Sequence, residues 1–170
     1  MLAIARMCLN YYCDDIPSGG KMAQYCLLGI GNRVRGDDGA GSILASRFRH
    51  DDWISIDAGP MPENFTGMIK KSGARVLVIA DACDLGRPPG TFMRIQPSTL
   101  SRGNGFGTHT SPMSLFIDYL EKYVRDIIFI GIQPGDLSIE EGLSPGVEDA
   151  IQRLMEILKN REFEAIPPGP

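Results

Sequence analysis

The chain has 170 residues, 43% of them apolar and 22% charged, with a formal net charge of −4. That length suits one packed domain and is short for two, and the acidic balance excludes the basic footprint of a nucleic-acid binder. No apolar run approaches the roughly 18 residues of a membrane helix, so a protein or small-molecule partner is expected, with no membrane insertion.

In chain order, "MLAIARMCLNYYCDDIPSGGK" (1–21) has no secretory layout, because polar residues interrupt every apolar stretch and no small-residue cleavage site follows. It reads as an N-terminal extension ahead of a single domain over 22–163, with 164–170 ("EAIPPGP" closes the chain) as a flexible tail. Cys8, Cys13, Cys26 and Cys83 form no CxxC pair and have no clustered histidine beside them. A zinc knuckle or a disulfide framework is therefore not expected, and a reducing cytoplasm is the expected compartment.

"YCLLGI" predicts a short buried strand and "GAGSILASRF" a helix with Ile43, Leu44 and Phe48 at helical spacing. "WISIDAG" predicts a second strand and "PENFTGMIKKSG" a short helix ending at Gly73. "RVLVIADA" is β-branched and continuous, as a strand covered on both faces should be. "GTFMRIQP" predicts a further strand. "SPMSLFIDYLEKYV" opens a helix with Ser111 as N-cap and Pro112 at its first position, carrying an apolar stripe of Leu115, Phe116, Tyr119, Leu120 and Tyr123. "IIFIGIQP" is the last strand. A final helix in "SPGVEDAIQRLMEILKN" places Val147, Ala150, Ile151, Leu154, Met155 and Leu158 on one face. The alternation implies an α/β three-layer sandwich, a mostly parallel twisted sheet with helices on both faces. In such sheets the working crevice lies beyond the carboxyl ends of the strands, which singles out the loop Gly29–Asp38, Asp57, Asp81 and the region of His109.

The glycine loop "GIGNRVRGDDGAG" is not a dinucleotide fingerprint. Val34 stands where a third glycine belongs, and Asp37 and Asp38 would repel a pyrophosphate at the helix end that should attract it. One carboxylate, Asp37, is accounted for by helix capping. Two adjacent ones exceed that need, and a cation would relieve their repulsion. Asp81 ends a buried strand, either as a loop cap or as a ligand at the open edge. Cys83 is either a small buried hydrophobe or a thiolate beside Asp81. His109 precedes a helix N-terminus, where the dipole favours the neutral, metal-binding imidazole. His50, between Arg49 and Asp51, reads as solvent-exposed. Asp38, Asp81 and His109 together offer mixed oxygen and nitrogen donors suited to nickel, zinc, manganese or iron(II).

Five ordered motifs now become recognisable: "GIGNRVRGDDGAG"; "DAG" at 57–59 with "PEN" at 62–64; "IADA" at 79–82; "THTSPMSLFIDYL" at 108–120; and "FIGIQP" at 129–134. Over about Leu27 to Leu158 the chain resembles the nickel-iron hydrogenase maturation endopeptidases, nearest the branch serving hydrogenase-3, energy-converting hydrogenases. The resemblance implies a twisted five-stranded sheet between helices. It also implies an endopeptidase that clips the C-terminal extension from a hydrogenase large-subunit precursor after nickel insertion, acting as a monomer. Asp38, Asp81 and His109 become the metal-contacting and catalytic trio, with nickel supplied by the substrate and no nucleotide. Gly29, Gly31, Asn32, Asp37, Gly39 and Asp57 become loop and substrate-binding positions, with Asn32 pinning the loop. Arg33 and Arg35 make this loop more basic than is usual in the family, and "DAGPMP" replaces a double-glycine turn. The alternative is a non-catalytic escort that checks for nickel without cutting.

Overall fold

The computed structural model describes residues 23–96 and 113–169. Five strands, β1 (Tyr25–Ile30), β2 (Trp53–Gly59), β3 (Val76–Ala82), β4 (Phe92–Ile95) and β5 (Asp126–Ile132), form one sheet in the order β2-β1-β3-β5-β4. All pairs are parallel except β4 with β5, where Phe92 lies opposite Ile132. The four α-helices among the described residues are α1 (Ala40–Arg47), α2 (Thr66–Ser72), α3 (Met113–Leu120) and α4 (Pro145–Asn160). This is the three-layer α/β architecture expected from the alternation of patterns.

Strand side chains divide by parity between two cores. Leu27, Val78, Ala80, Ile130 and Ile132 face α1 and α4, meeting Leu44, Phe48, Ile151 and Leu154. Cys26, Leu28, Leu77, Ile79 and Phe129 face α2 and α3, meeting Ile69, Ile117 and Leu120. Because α1 and α2 lie on opposite faces, the crossovers diverge between β1 and β3, and the crest between those strands is the sheet's switch point.

Helix α1 sits unusually low on the sheet. A Cβ on Gly29 would lie 2.0 Å from the Gly41 carbonyl oxygen, and one on Gly41 would lie 2.1 Å from that of Ala80. Gly29 and Gly41 thus let helix and strand backbones touch. Gly39 is similar, since its Cβ would reach Arg33 Cα at 2.8 Å.

Two expectations are corrected. The buried face of α3 carries Ile117 and Leu120, followed by Val124, while Leu115, Tyr119 and Tyr123 are exposed. The segment is apolar around most of its circumference, so spacing alone does not fix which side meets the sheet. The two outward tyrosines instead lie tilted against each other, ring centroids 5.4 Å apart, with Lys70 Nζ 4.1 Å from the Tyr123 ring centroid and 4.6 Å from that of Tyr119. The closing residues 164–169 are docked, not frayed. Ile166 is fully buried, Arg94 N–H donates to Pro167 O at 2.8 Å, and Gly169 N–H donates to Arg94 O at 2.7 Å. The expected extension over 1–21 lies outside the described residues.

Gly41→Ala should destabilise the protein by about 3 kcal/mol or more, because its methyl group would meet fixed backbone on both sides. Urea unfolding followed by circular dichroism measures this, and a loss under about 1 kcal/mol would contradict the close-contact account.

Candidate functional site

The 3-10 turn Gly36–Gly39 leads from β1 into α1 and presents its two acids in different directions. Asp37 is fully buried. Its Oδ2 accepts the N–H groups of Gly135 (2.7 Å) and Asp136 (2.8 Å) and the Ser144 hydroxyl (2.7 Å), and its Oδ1 accepts the Ser144 N–H (2.7 Å). It caps neither its own turn nor α1, neither of which has a side-chain cap bond. The capping expectation for Asp37 therefore gives way to another role: this carboxylate ties the loop after β5, and the residue that opens α4, to the loop after β1. Burial opposes ionisation, but the four donors outweigh it and hold Asp37 below the usual carboxylate range.

Asp38, the next residue, is 7% exposed and Asp81, at the end of β3, is 3% exposed. They face the same switch point, where the start of α1 rests on Ala80 and the Asp38 charge is felt at Asp81. Burial pushes the Asp81 carboxyl up to about 8. A bond from the Ala82 backbone opposes the shift, and the nearby Asp38 charge adds to it. Two acids sharing a desolvated crest repel one another, and a divalent cation is the ligand that reverses this penalty. His109, the third member expected, lies outside the described residues. Among the described residues, no cluster of three or more His, Cys, Asp or Glu side chains is arranged to hold a metal.

Cys83 behaves as a packed hydrophobe. It is 2% exposed, sits in the core cluster with Ile79 and Ile95, and burial followed by the Asp81 charge raises its thiol well above the ordinary range. The thiolate alternative is not supported. His50 is half-buried, and its Nδ1 accepts the Asp52 N–H at 3.2 Å.

A second polar group lies between β1 and β2. Asp57 accepts the Ser42 hydroxyl at 2.6 Å and its own turn's Gly59 N–H at 3.2 Å, and it pairs with the Arg33 guanidinium. Arg33 Nε also donates to Ser42 Oγ at 2.7 Å. These groups, with Gly31, Asn32 and Gly59, line an open cleft of about 430 Å3. Gly31 adopts φ 141° and packs against the Asp38 carbonyl, so the cleft wall and the Asp38 turn share one piece of backbone. Asn32 Oδ1 accepts Val34 N–H at 3.2 Å, the loop-pinning bond expected of it.

Ser42 lies in the sequence as an ordinary helix residue, and nothing local signals that its hydroxyl joins Arg33 to Asp57. Gln133 was likewise unremarked. Buried at the end of β5, its Oε1 accepts the N–H groups of Leu85 (2.6 Å) and Arg87 (3.2 Å), fixing the loop that follows Asp81. Its place in "GIQP", just past a buried strand, was the available clue.

A hydrogenase maturation protease family model matches residues 41–161. The hydrogenase 3 maturation protease of Escherichia coli (strain K12) is 33% identical over 139 residues, covering 80% of this chain and 89% of that one. The chain belongs to the hydrogenase maturation protease family. The solution structure of the endopeptidase HycI from Escherichia coli superposes with a TM-score of 0.73 at 33% identity, covering 82% of this chain and 91% of that one. The crystal structure of a [NiFe] hydrogenase maturation protease HycI from Thermococcus kodakarensis KOD1 gives 0.71 at 29% identity, covering 81% and 91%. As a member of this family the protein is a peptidase, and its fold is that of the HycI structures.

The two crest acids of this maturation protease should bend its stability in opposite directions with pH. Asp37, depressed in the folded state, contributes stability that is present above about pH 4 and lost as pH falls through its folded value. Asp81, raised, contributes stability that is complete below about pH 4 and lost as pH rises through about 8. In chelator-treated protein, Asp81→Asn should therefore gain on the wild type between those limits, while Asp37→Asn should show a smaller relative deficit in acid than at neutral pH. At neutral pH, removing the Asp37 charge should cost about 2–4 kcal/mol. Thermal melts across the range decide both, and parallel curves for all three proteins would sink this account.

Proposed function

We propose that this protease removes the C-terminal extension of a nickel-iron hydrogenase large-subunit precursor once nickel has been inserted, and that Asp38, Asp81 and His109 recognise the nickel the precursor carries. The buried Asp38–Asp81 pair at the switch point supports this reading most strongly, because it is costly when empty and relieved by a cation. With most of its charge unfavourable until metal arrives, such a pair suits a metal that is delivered with the substrate. Docking then becomes productive only for a precursor already loaded, which makes the metal a checkpoint.

In the chemical step, a water oxygen adds to the scissile carbonyl carbon. Its proton passes to Asp38 or Asp81 and then to the departing amide nitrogen, so that the C–N bond breaks with charge conserved. Substrate nickel beside that carbonyl would polarise it. No serine or cysteine nucleophile paired with a base is placed on this crest among the described residues, so an acyl-enzyme is not part of the proposal. The reaction is assigned to the cytoplasm, with the enzyme acting as a monomer. No helix among the described residues is long and apolar enough to cross a membrane.

The deciding experiment incubates a cognate precursor, nickel-loaded or nickel-free, with the protein and follows mass. Loss of a short C-terminal peptide from the loaded form alone is expected, with Asp38→Ala, Asp81→Ala and His109→Ala each reducing the rate by at least about 100-fold. Cleavage without nickel would overturn the checkpoint, and binding without any cleavage would favour an escort.

A further inference from the structure

The loop after β5 is locked in place, yet it spends large apolar side chains on solvent. Gly36 N–H donates to Glu140 O and Asp37 N–H to Asp136 O, both at 2.8 Å, and the Asp37 carboxylate takes the Gly135 and Asp136 N–H groups from below. Asp136 Oδ1 accepts Ser138 N–H at 2.8 Å, closing the turn on itself. On this framework Leu137 is 43% exposed and Ile139 89%, and Val34, on the facing loop, is 51%. One exposed apolar side chain is ordinary. Three on two loops bonded side by side, next to a candidate site, are informative. Ile139 is almost wholly in solvent, and Leu137 and Val34 each leave about half of their surface there. The surroundings are charged with a definite sense: Asp136, Glu140 and Glu141 are exposed on the loop after β5, and Arg33 is exposed beyond Val34.

We propose that Val34, Leu137 and Ile139 form a docking rim that seats the folded body of the hydrogenase precursor, through an apolar patch fringed by basic groups, and so aligns its processing site over Asp38 and Asp81. The proposal rests on the functional reading above. The precursor is the occupant favoured by continuity, because the rim is anchored through Asp37, the residue immediately before Asp38. Anything held on the rim is therefore registered against the acid pair. Exposed Glu140 and Glu141 set the chemistry its seating surface must show there, a basic fringe. A second copy of this chain is the competing occupant, because Arg33 and Arg35 share the face with the acids, and its self-association is the outcome that separates the two. Because the backbone beneath is already fixed, docking would cost little ordering entropy, and the rim would act through affinity more than through the chemical step.

The test compares the wild type with a Leu137→Ser/Ile139→Ser double variant and with Ile139→Val. Both lost side chains are exposed, so the thermal midpoint should hold, and that is checked first. On the nickel-loaded precursor, the double variant should raise KM about tenfold with kcat within about twofold, and should weaken precursor binding by interferometry to a similar degree. Ile139→Val should retain wild-type values. A double variant that binds and cuts like the wild type overturns the rim alone. Self-association of the wild type in sedimentation, lost in the double variant, assigns the face to a second copy and also overturns it. A wild type that neither binds nor cuts the precursor sinks the functional reading, and the rim with it.

Discussion

Everything at the crest of this molecule depends on two backbones being allowed to touch. Gly29 in β1 and Gly41 in α1 remove the side chains that would otherwise hold the helix off the sheet, and Gly41 settles on the carbonyl of Ala80. Had α1 ridden at the usual separation, the turn that precedes it would have been lifted as well. Asp38 belongs to that turn and Asp81 to the strand beneath. Their proximity is therefore a by-product of helix seating, set by residues that carry no functional group.

The adjacent acids of the turn divide two tasks that a single carboxylate could not combine. Asp37 is saturated with donors, ionised and structural; it recruits the loop after β5 and the opening of α4 to the same corner. Asp38 is left facing Asp81, where charge is expensive. The first acid makes the corner rigid enough for the second to be held in an unfavourable place. Under the proposed function, a site that meets a cation late needs this separation: the strain must be carried by neighbours with ample stabilising contacts.

Much of this was legible in the chain itself. Short apolar runs identified β1 and β5, a continuous β-branched run identified β3, and the spacing of Val147, Ile151, Leu154 and Leu158 identified α4, because burial on both faces or along one stripe leaves a trace in the chain. Asp38 and Asp81 stood out since carboxylates at strand ends in a parallel sheet share one edge. Orientation was harder. In α3 the competition between Ile117 and Tyr119 for the core is settled by packing against Leu77 and Phe129, which no local pattern encodes. Least legible were the long-range ties: nothing near Asp37 announces Ser144, and nothing near Ser42 announces Asp57. Hydrogen bonds between distant segments leave no period behind them.

The docked terminus has a consequence for how the sheet meets its surroundings. β4 is an antiparallel edge strand, and an unpaired edge is a template for pairing with another chain. Here Pro167, Pro168 and Gly169 run along Arg94, with Ile166 buried as the peg that keeps them there. Two prolines in this segment lack the N–H that a third strand would need for a regular ladder, so the covering segment is itself a poor partner for further addition. The last residues thus work as an insulating strip. Shortening the chain before Ile166 would uncover the strand edge and leave the protein prone to sheet-to-sheet association.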